Sequence, residues 1–206
     1  MGLTSFLVVS LLAPLFPKEQ FPQHLPMPFA LGLLLWCARR GVMSDRSMLC
    51  LVCFLALHVV GARYVYSNVP FGERLSWLAL GGDLPTRNHY DRLVHLAFGF
   101  LLALPIGEWA LRRWRAARLQ AWVVALVTLL AVSALYEIFE WLLTIVAAPG
   151  YAESYNGQQG DAWDAQKDMA LALLGSALAW PLFRAPPSQS EELTANHDPV
   201  PEATGR

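Results

Sequence analysis

The chain has 206 residues, 55% of them apolar and only 15% Asp, Glu, Lys or Arg. A soluble domain carries roughly 25% charged residues, so this composition, with a mean hydropathy of +0.38, argues against a soluble domain. The length suits one bundle; the net charge of −1 says nothing about partners, because the charges are segregated along the chain, while the lack of a basic stripe among aromatics argues against nucleic-acid partners.

Six apolar stretches follow one another, each to be weighed against the ~20 residues needed to cross a bilayer. The first, residues 3–16, has no positively charged leader and no Ala-x-Ala site. It is therefore expected to remain as a short membrane helix rather than to be a cleaved signal. The second, residues 25–38, contains Pro26 and Pro28. Both are short enough to be re-entrant or interfacial. The third, residues 47–66, holds Cys50 and Cys53 in an apolar run. Without a second cysteine pair these two, with Cys37, read as buried small hydrophobes. Residues 90–111, 119–148 and 165–183 complete the set. The expected architecture is an all-α polytopic bundle over residues 1–184. The polar residues 185–206 follow as a disordered tail.

The linkers set the orientation. Arg39, Arg40 and Arg46 lie between the second and third stretches, and Arg112, Arg113, Arg115 and Arg118 between the fourth and fifth. Two connections apart, these loops share a side, which the positive-inside rule makes the cytoplasm. Both termini are then cytoplasmic, and the loops around 18–23, 67–89 and 149–160 are outside.

An ionisable group within a span costs roughly 2.5–3.5 kcal/mol on insertion scales, so each one needs a reason. On this topology the outer ends of four helices carry nearly all of them. They are His58, Tyr64 and Tyr66; Arg87, Asp91, Arg92 and His95; Glu137 and Glu140; and Asp161, Asp164 and Asp168. Glu108, near an inner end, is the exception. If the last helix begins at Asp161, its three aspartates fall at about 0°, −60° and −20° and share one face. Asp91 and His95 are i and i+4.

Structural explanations compete with a functional one. Asp161 with Asp164 resembles an N-cap with a capping-box acid. Glu137 and Glu140 could lock the bundle by pairing with Arg63, Arg87 or Arg92, and the tyrosines could form an aromatic belt. Neither cap nor belt accounts for Asp168, two turns in. The functional expectation is one polar pocket of Asp91, His95, Glu137, Glu140, Asp164 and Asp168. Carboxylates with an imidazole suit a divalent metal ion such as Mg, Mn or Zn, with His95, Glu140, Asp164 and Asp168 as ligands. They also suit acid–base work on a membrane lipid or envelope-derived headgroup. A structural or partner-binding protein with ion-paired helices stays open. A cation or proton transporter is disfavoured, because its polar residues should run through the full depth of the bundle.

Tyr90-Asp91-Arg92-Leu93-Val94-His95 with Phe98-Gly99, then Tyr136-Glu137-Ile138-Phe139-Glu140-Trp141, then residues 155–169 from Tyr155-Asn156-Gly157-Gln158-Gln159-Gly160 onward resemble the YjdF-type bacterial inner-membrane proteins. That family is a domain of unknown function, and the likeness covers roughly residues 57–183. It implies the bacterial cytoplasmic (inner) membrane and names no activity. The family's third span reads His-x-x-x-Gly-x-His-Tyr-Thr-Tyr. Here Arg63 stands where its second histidine would be, so no metal-ligand role carries over to that position. A looser likeness, in architecture alone, is to the VanZ-like membrane proteins, which are linked to cell-envelope phenotypes.

Overall fold

The structure, a computed structural model, describes residues 3–81, 87–146 and 157–183. Among these residues there are seven α-helices and no strand. They are α1 (Leu3–Leu12), α2 (Pro17–His24), α3 (Pro26–Arg40), α4 (Asp45–Arg63), α5 (Tyr90–Trp114), α6 (Arg118–Val146) and α7 (Asp164–Leu178). Short 3-10 turns cover Gly72–Leu78 and Trp180–Phe183.

Local chemistry sets several boundaries. α3 stops at Gly41, whose φ of 58° is easily adopted only without a side chain. α4 starts where the Ser44 hydroxyl accepts from the Ser47 amide at 3.2 Å, an N-cap. α2 is polar and was not expected as a helix; its Pro17 stands in the first turn, where no amide donor is needed.

α4, α5 and α6 are long and apolar enough to cross a membrane. Of the other apolar segments, α1 and α7 are shorter than their sequence stretches, while α3 is about as long as its own. α1 has 10 residues, and α3 and α7 have 15 each, which rise about 15 and 22 Å against a hydrocarbon core of ~30 Å. α7 is extended by the turn at Trp180–Phe183.

The packing centres on α5, which lies against α7, α6 and α4. α5 and α7 meet through glycines. A Cβ on Gly99 would lie 2.0 Å from the Ala172 carbonyl oxygen, and one on Gly175 would lie 2.1 Å from that of Leu96. With no water to drive association in lipid, such close backbone approach supplies the packing energy. Below the crossing, Ala103, Ala110, Ala121, Ala125, Leu129, Ala179 and Phe183 form the main core.

The two arginine-bearing loops come to one end of the bundle. Glu108 accepts from the Ser44 amide at 3.0 Å, and Arg112 donates to the Val42 carbonyl at 3.1 Å. Glu108 therefore ties the loop before α4 to the end of α5, which explains an acid near the inner end of that helix. The cysteines differ from expectation: Cys37 is buried, but Cys50 is half-buried and Cys53 exposed, and all three are free thiols. Their helix turns that face outward, where apolar side chains suit lipid. The tail expected to be disordered lies outside the described residues.

Candidate functional site

The opposite end of the bundle carries the polar groups, in two layers. The outer layer begins with residues 157–161, which pack against the start of α5. Gly157 (φ 68°), Gln159 (φ 50°) and Gly160 (φ 80°) take left-handed conformations. This turn lets the Gln159 side chain accept from the Asn88 amide at 2.8 Å and donate to the Asn88 carbonyl at 2.9 Å. The glycine-flanked Gln-Gln pair is thus a clamp between two loops. Tyr155 and Asn156 lie outside the described residues.

Charges fill the same layer. Arg92 donates to Asp161 at 2.6 Å, and Lys167 donates to the same oxygen at 2.7 Å. Arg87 is paired with Asp164 and donates to the Gln158 carbonyl at 2.5 Å. Arg87, Arg92, Asp161 and Asp164 are all buried. Among the described residues three cations thus face two carboxylates, so both carboxylates of this layer are compensated within it.

Two expectations about Asp161 are corrected here. It is not on the face of the last helix, because α7 begins only at Asp164. Nor is it the N-cap of a capping box: Trp163 holds that position without a side-chain cap. Asp161 instead accepts from the Trp163 amide at 3.0 Å, a local turn that presents its other oxygen to Arg92 and Lys167.

One turn deeper the composition changes. Asp91 and His95 of α5 and Asp168 of α7 each present a ligand atom, and the three atoms lie within 4.8 Å of one another. Nε2 of His95 is 3.8 Å from Asp91 Oδ1 and 3.6 Å from Glu137 Oε1 of α6. Asp168 is 2% and Glu137 7% exposed. Oδ1 of Asp168 and Oε1 of Glu137 are buried with no hydrogen-bond partner. Among the described residues, none of these three carboxylates pairs with a lysine or arginine. Three acids thus surround one imidazole. Such a group must bind protons or a cation, because uncompensated charges in a bundle interior are costly.

The remaining expected residues lie around this cluster. Glu140 and Asp164 line, with Glu137, a cavity of about 430 Å³ between α6 and α7. Asp91 and His95 line a smaller cavity of about 140 Å³ with His58, Tyr66, Ser133 and Tyr136. There His58 donates from Nε2 to the Gln23 carbonyl at 3.0 Å, which leaves Nδ1 to accept from the Tyr66 hydroxyl at 2.6 Å. Tyr66 reaches this position from a left-handed backbone, with φ of 50° at Val65 and 52° at Tyr66, and its ring lies over Gly61, where a Cβ would come within 2.6 Å. Tyr64 is half-buried against the cluster of Tyr66, Val69, Tyr90 and Val94. Arg63 donates to the Ala13 carbonyl at 3.1 Å, a link to α1 that its charge alone did not suggest. Sequence reasoning missed Asn88 and gave Gln159 no role, while Lys167 is one of the polar residues that open the last stretch. Only the odd composition of residues 157–160 hinted at the clamp.

Residues 1–185 match the family described as predicted membrane protein (DUF2238). The chain is 37% identical over 163 residues to the inner membrane protein YjdF of Escherichia coli (strain K12), which covers 78% of this chain and 74% of that protein. No solved structure matches.

Proposed function

Because the chain belongs to the DUF2238 family of predicted membrane proteins, we propose that it is an inner-membrane bundle with a divalent-cation site near its extracytoplasmic face, held by Asp91, His95 and Asp168. The observation that carries this reading is the convergence of those three ligand atoms within 4.8 Å, together with the buried, unpartnered Oδ1 of Asp168. Two carboxylates and an imidazole suit a borderline or hard ion such as Zn or Mn. Glu137, whose Oε1 lies 3.6 Å from His95 Nε2, sets a further carboxylate beside the site. An ion there supplies a Lewis acid for an oxygen of a lipid or envelope headgroup. Asp91, His95 and Asp168 fix its place, and the arginine layer above them holds the helix ends in register.

Six membrane segments, with both termini cytoplasmic, fit this reading. The arginine-bearing loops tied by Glu108 and Arg112 at the far end support that orientation. The outer layer by itself favours a structural role, since Arg87–Asp164 and Arg92–Asp161 join α5 to the start of α7. The deeper layer is what favours a bound cation. Elemental analysis of detergent-purified protein separates the two. About one divalent ion per chain, absent from Asp168→Asn, supports the site; equal metal content in both proteins refutes it.

A further inference from the structure

The smaller cavity, of about 140 Å³, lies between α4, α5 and α6, and Asp91 and His95 form part of its wall. Ser133 and Tyr136 of α6 and the hydrogen-bonded pair His58–Tyr66 complete its polar lining, and the rest is apolar. Ser133 lies one turn farther from the polar end of α6 than Glu137 does. It is 2% exposed, and its Oγ is buried with no hydrogen-bond partner among the described residues. A buried serine in a helix can bond the carbonyl one turn back, as Ser176 does with Ala172 at 2.8 Å. Ser133 makes no such bond, and an unsatisfied buried hydroxyl is costly, so this one points to a ligand in the cavity.

Size and charge select that ligand. The volume is near that of a cavity of ~150 Å³ that takes benzene, or the share of roughly four waters, and is too small for a lipid head. Asp91 and Asp168 balance a divalent ion, and Glu137 sets a further carboxylate 3.6 Å from His95, so an anion is repelled. A wholly apolar molecule leaves Ser133 unsatisfied. We propose that this cavity is the water chamber of the cation site, where a water on the ion's open coordination position is hydrogen-bonded by Ser133 and Tyr66. The inference rests on the cation site proposed above. Three protein ligands leave a position open for water, as in catalytic metal sites. The Tyr66 hydroxyl donates to His58, and its oxygen can accept as well; Ser133 can do either. The ion and these two hydroxyls give the water the partners a buried water needs. Water held there is the ligand whose pKa a bound cation lowers.

The test uses the full chain in detergent, loaded with Mn(II), desalted to remove free ion and placed in water enriched in oxygen-17. Pulsed electron–nuclear double resonance of the wild type should show an oxygen-17 coupling from directly bound water beside the imidazole nitrogen coupling of His95. Ser133→Leu, whose side chain occupies the cavity, should keep the manganese and the nitrogen coupling but lose most of the oxygen-17 coupling. Ser133→Ala should exchange its bound water roughly fivefold faster, the scale of one lost hydrogen bond, as read by oxygen-17 relaxation. Ser133→Thr, which keeps the hydroxyl, should restore the wild-type rate. The alanine and threonine variants carry the test if Ser133→Leu does not fold. Bound manganese without a water coupling overturns the inference and leaves the cation site standing. So does a coupling unchanged in Ser133→Leu, or an exchange rate unchanged in Ser133→Ala. Wild-type protein that retains no manganese overturns both.

Discussion

Asp164 and Asp168 lie one turn apart on α7, yet Asp164 is ion-paired with Arg87 while Oδ1 of Asp168 is buried without a hydrogen-bond partner. The two aspartates therefore have opposite energetic roles. Asp164→Asn strands a buried guanidinium and should cost about 3–5 kcal/mol, as breaking a buried pair does. Asp168→Asn removes a charge that forms no ion pair with a lysine or arginine among the described residues, and should leave the metal-free fold as stable or more so. Thermal unfolding in detergent after chelation checks both; a larger loss for Asp168→Asn would contradict the two-layer description.

The crossing of α5 and α7 gives the second prediction. Gly175 faces the Leu96 carbonyl so closely that any side chain must push the helices apart. Gly175→Leu should cost more than the 1–3 kcal/mol usual for overpacking, and Gly99→Leu likewise. Leu182→Ala, at a half-buried position near the end of the bundle, should cost less. The fraction of monodisperse protein after heating in detergent reads the difference.

Orientation is tested with single cysteines, after Cys37, Cys50 and Cys53 are replaced by alanine. Trp77 and Trp163 are exposed at the polar end, so Trp77→Cys and Trp163→Cys should react with a membrane-impermeant maleimide in intact cells. Arg113→Cys should react only after the membrane is opened. Reaction of Arg113→Cys alone in intact cells would invert the topology.

A pH dependence is expected at α2, the polar connector between the first two apolar segments. His24 Nε2 lies 2.9 Å from the Ser10 hydroxyl, and Gln20 donates to the Ser10 carbonyl at 2.6 Å. Burial, then the nearby His58 and Arg63, lowers the pKa of His24 from 6.5 to about 4. Below pH 6.5 the unfolded segment binds more protons than the folded one. The stabilising contribution is therefore full above pH 6.5 and is lost as pH falls toward 4. Hydrogen exchange of α1 and α2 should quicken across that window in the wild type, and the pH step should vanish in His24→Gln.

The helices and their common polar end were readable from the sequence because hydropathy, arginine placement and i, i+4 spacing act locally. Asp91 with His95 and the depth of Asp168 needed only helical geometry. Other features depended on contacts between distant segments. The spacing of Asp161, Asp164 and Asp168 fits a single helical face only if the helix starts at Asp161. The left-handed turn at Gly160 delays that start to Asp164. No local signal assigns Asp164 to Arg87, 77 residues earlier. The same holds for the partition of Glu137 and Glu140 toward a cavity. The shortness of α1 and α3, and the intervening α2, follow from prolines at 14, 17, 22, 26 and 28, whose number hid where each break falls.

The central claim is that Asp91, His95 and Asp168 hold a divalent cation, and manganese makes it directly visible. Mn(II) titrated into purified, chelator-treated protein should give one bound ion per chain, and pulsed electron paramagnetic resonance should show coupling to an imidazole nitrogen. That coupling should disappear in His95→Ala, and binding itself should be lost in Asp168→Asn. Wild-type protein with no bound Mn(II) signal, or a signal unchanged by either substitution, would contradict the account.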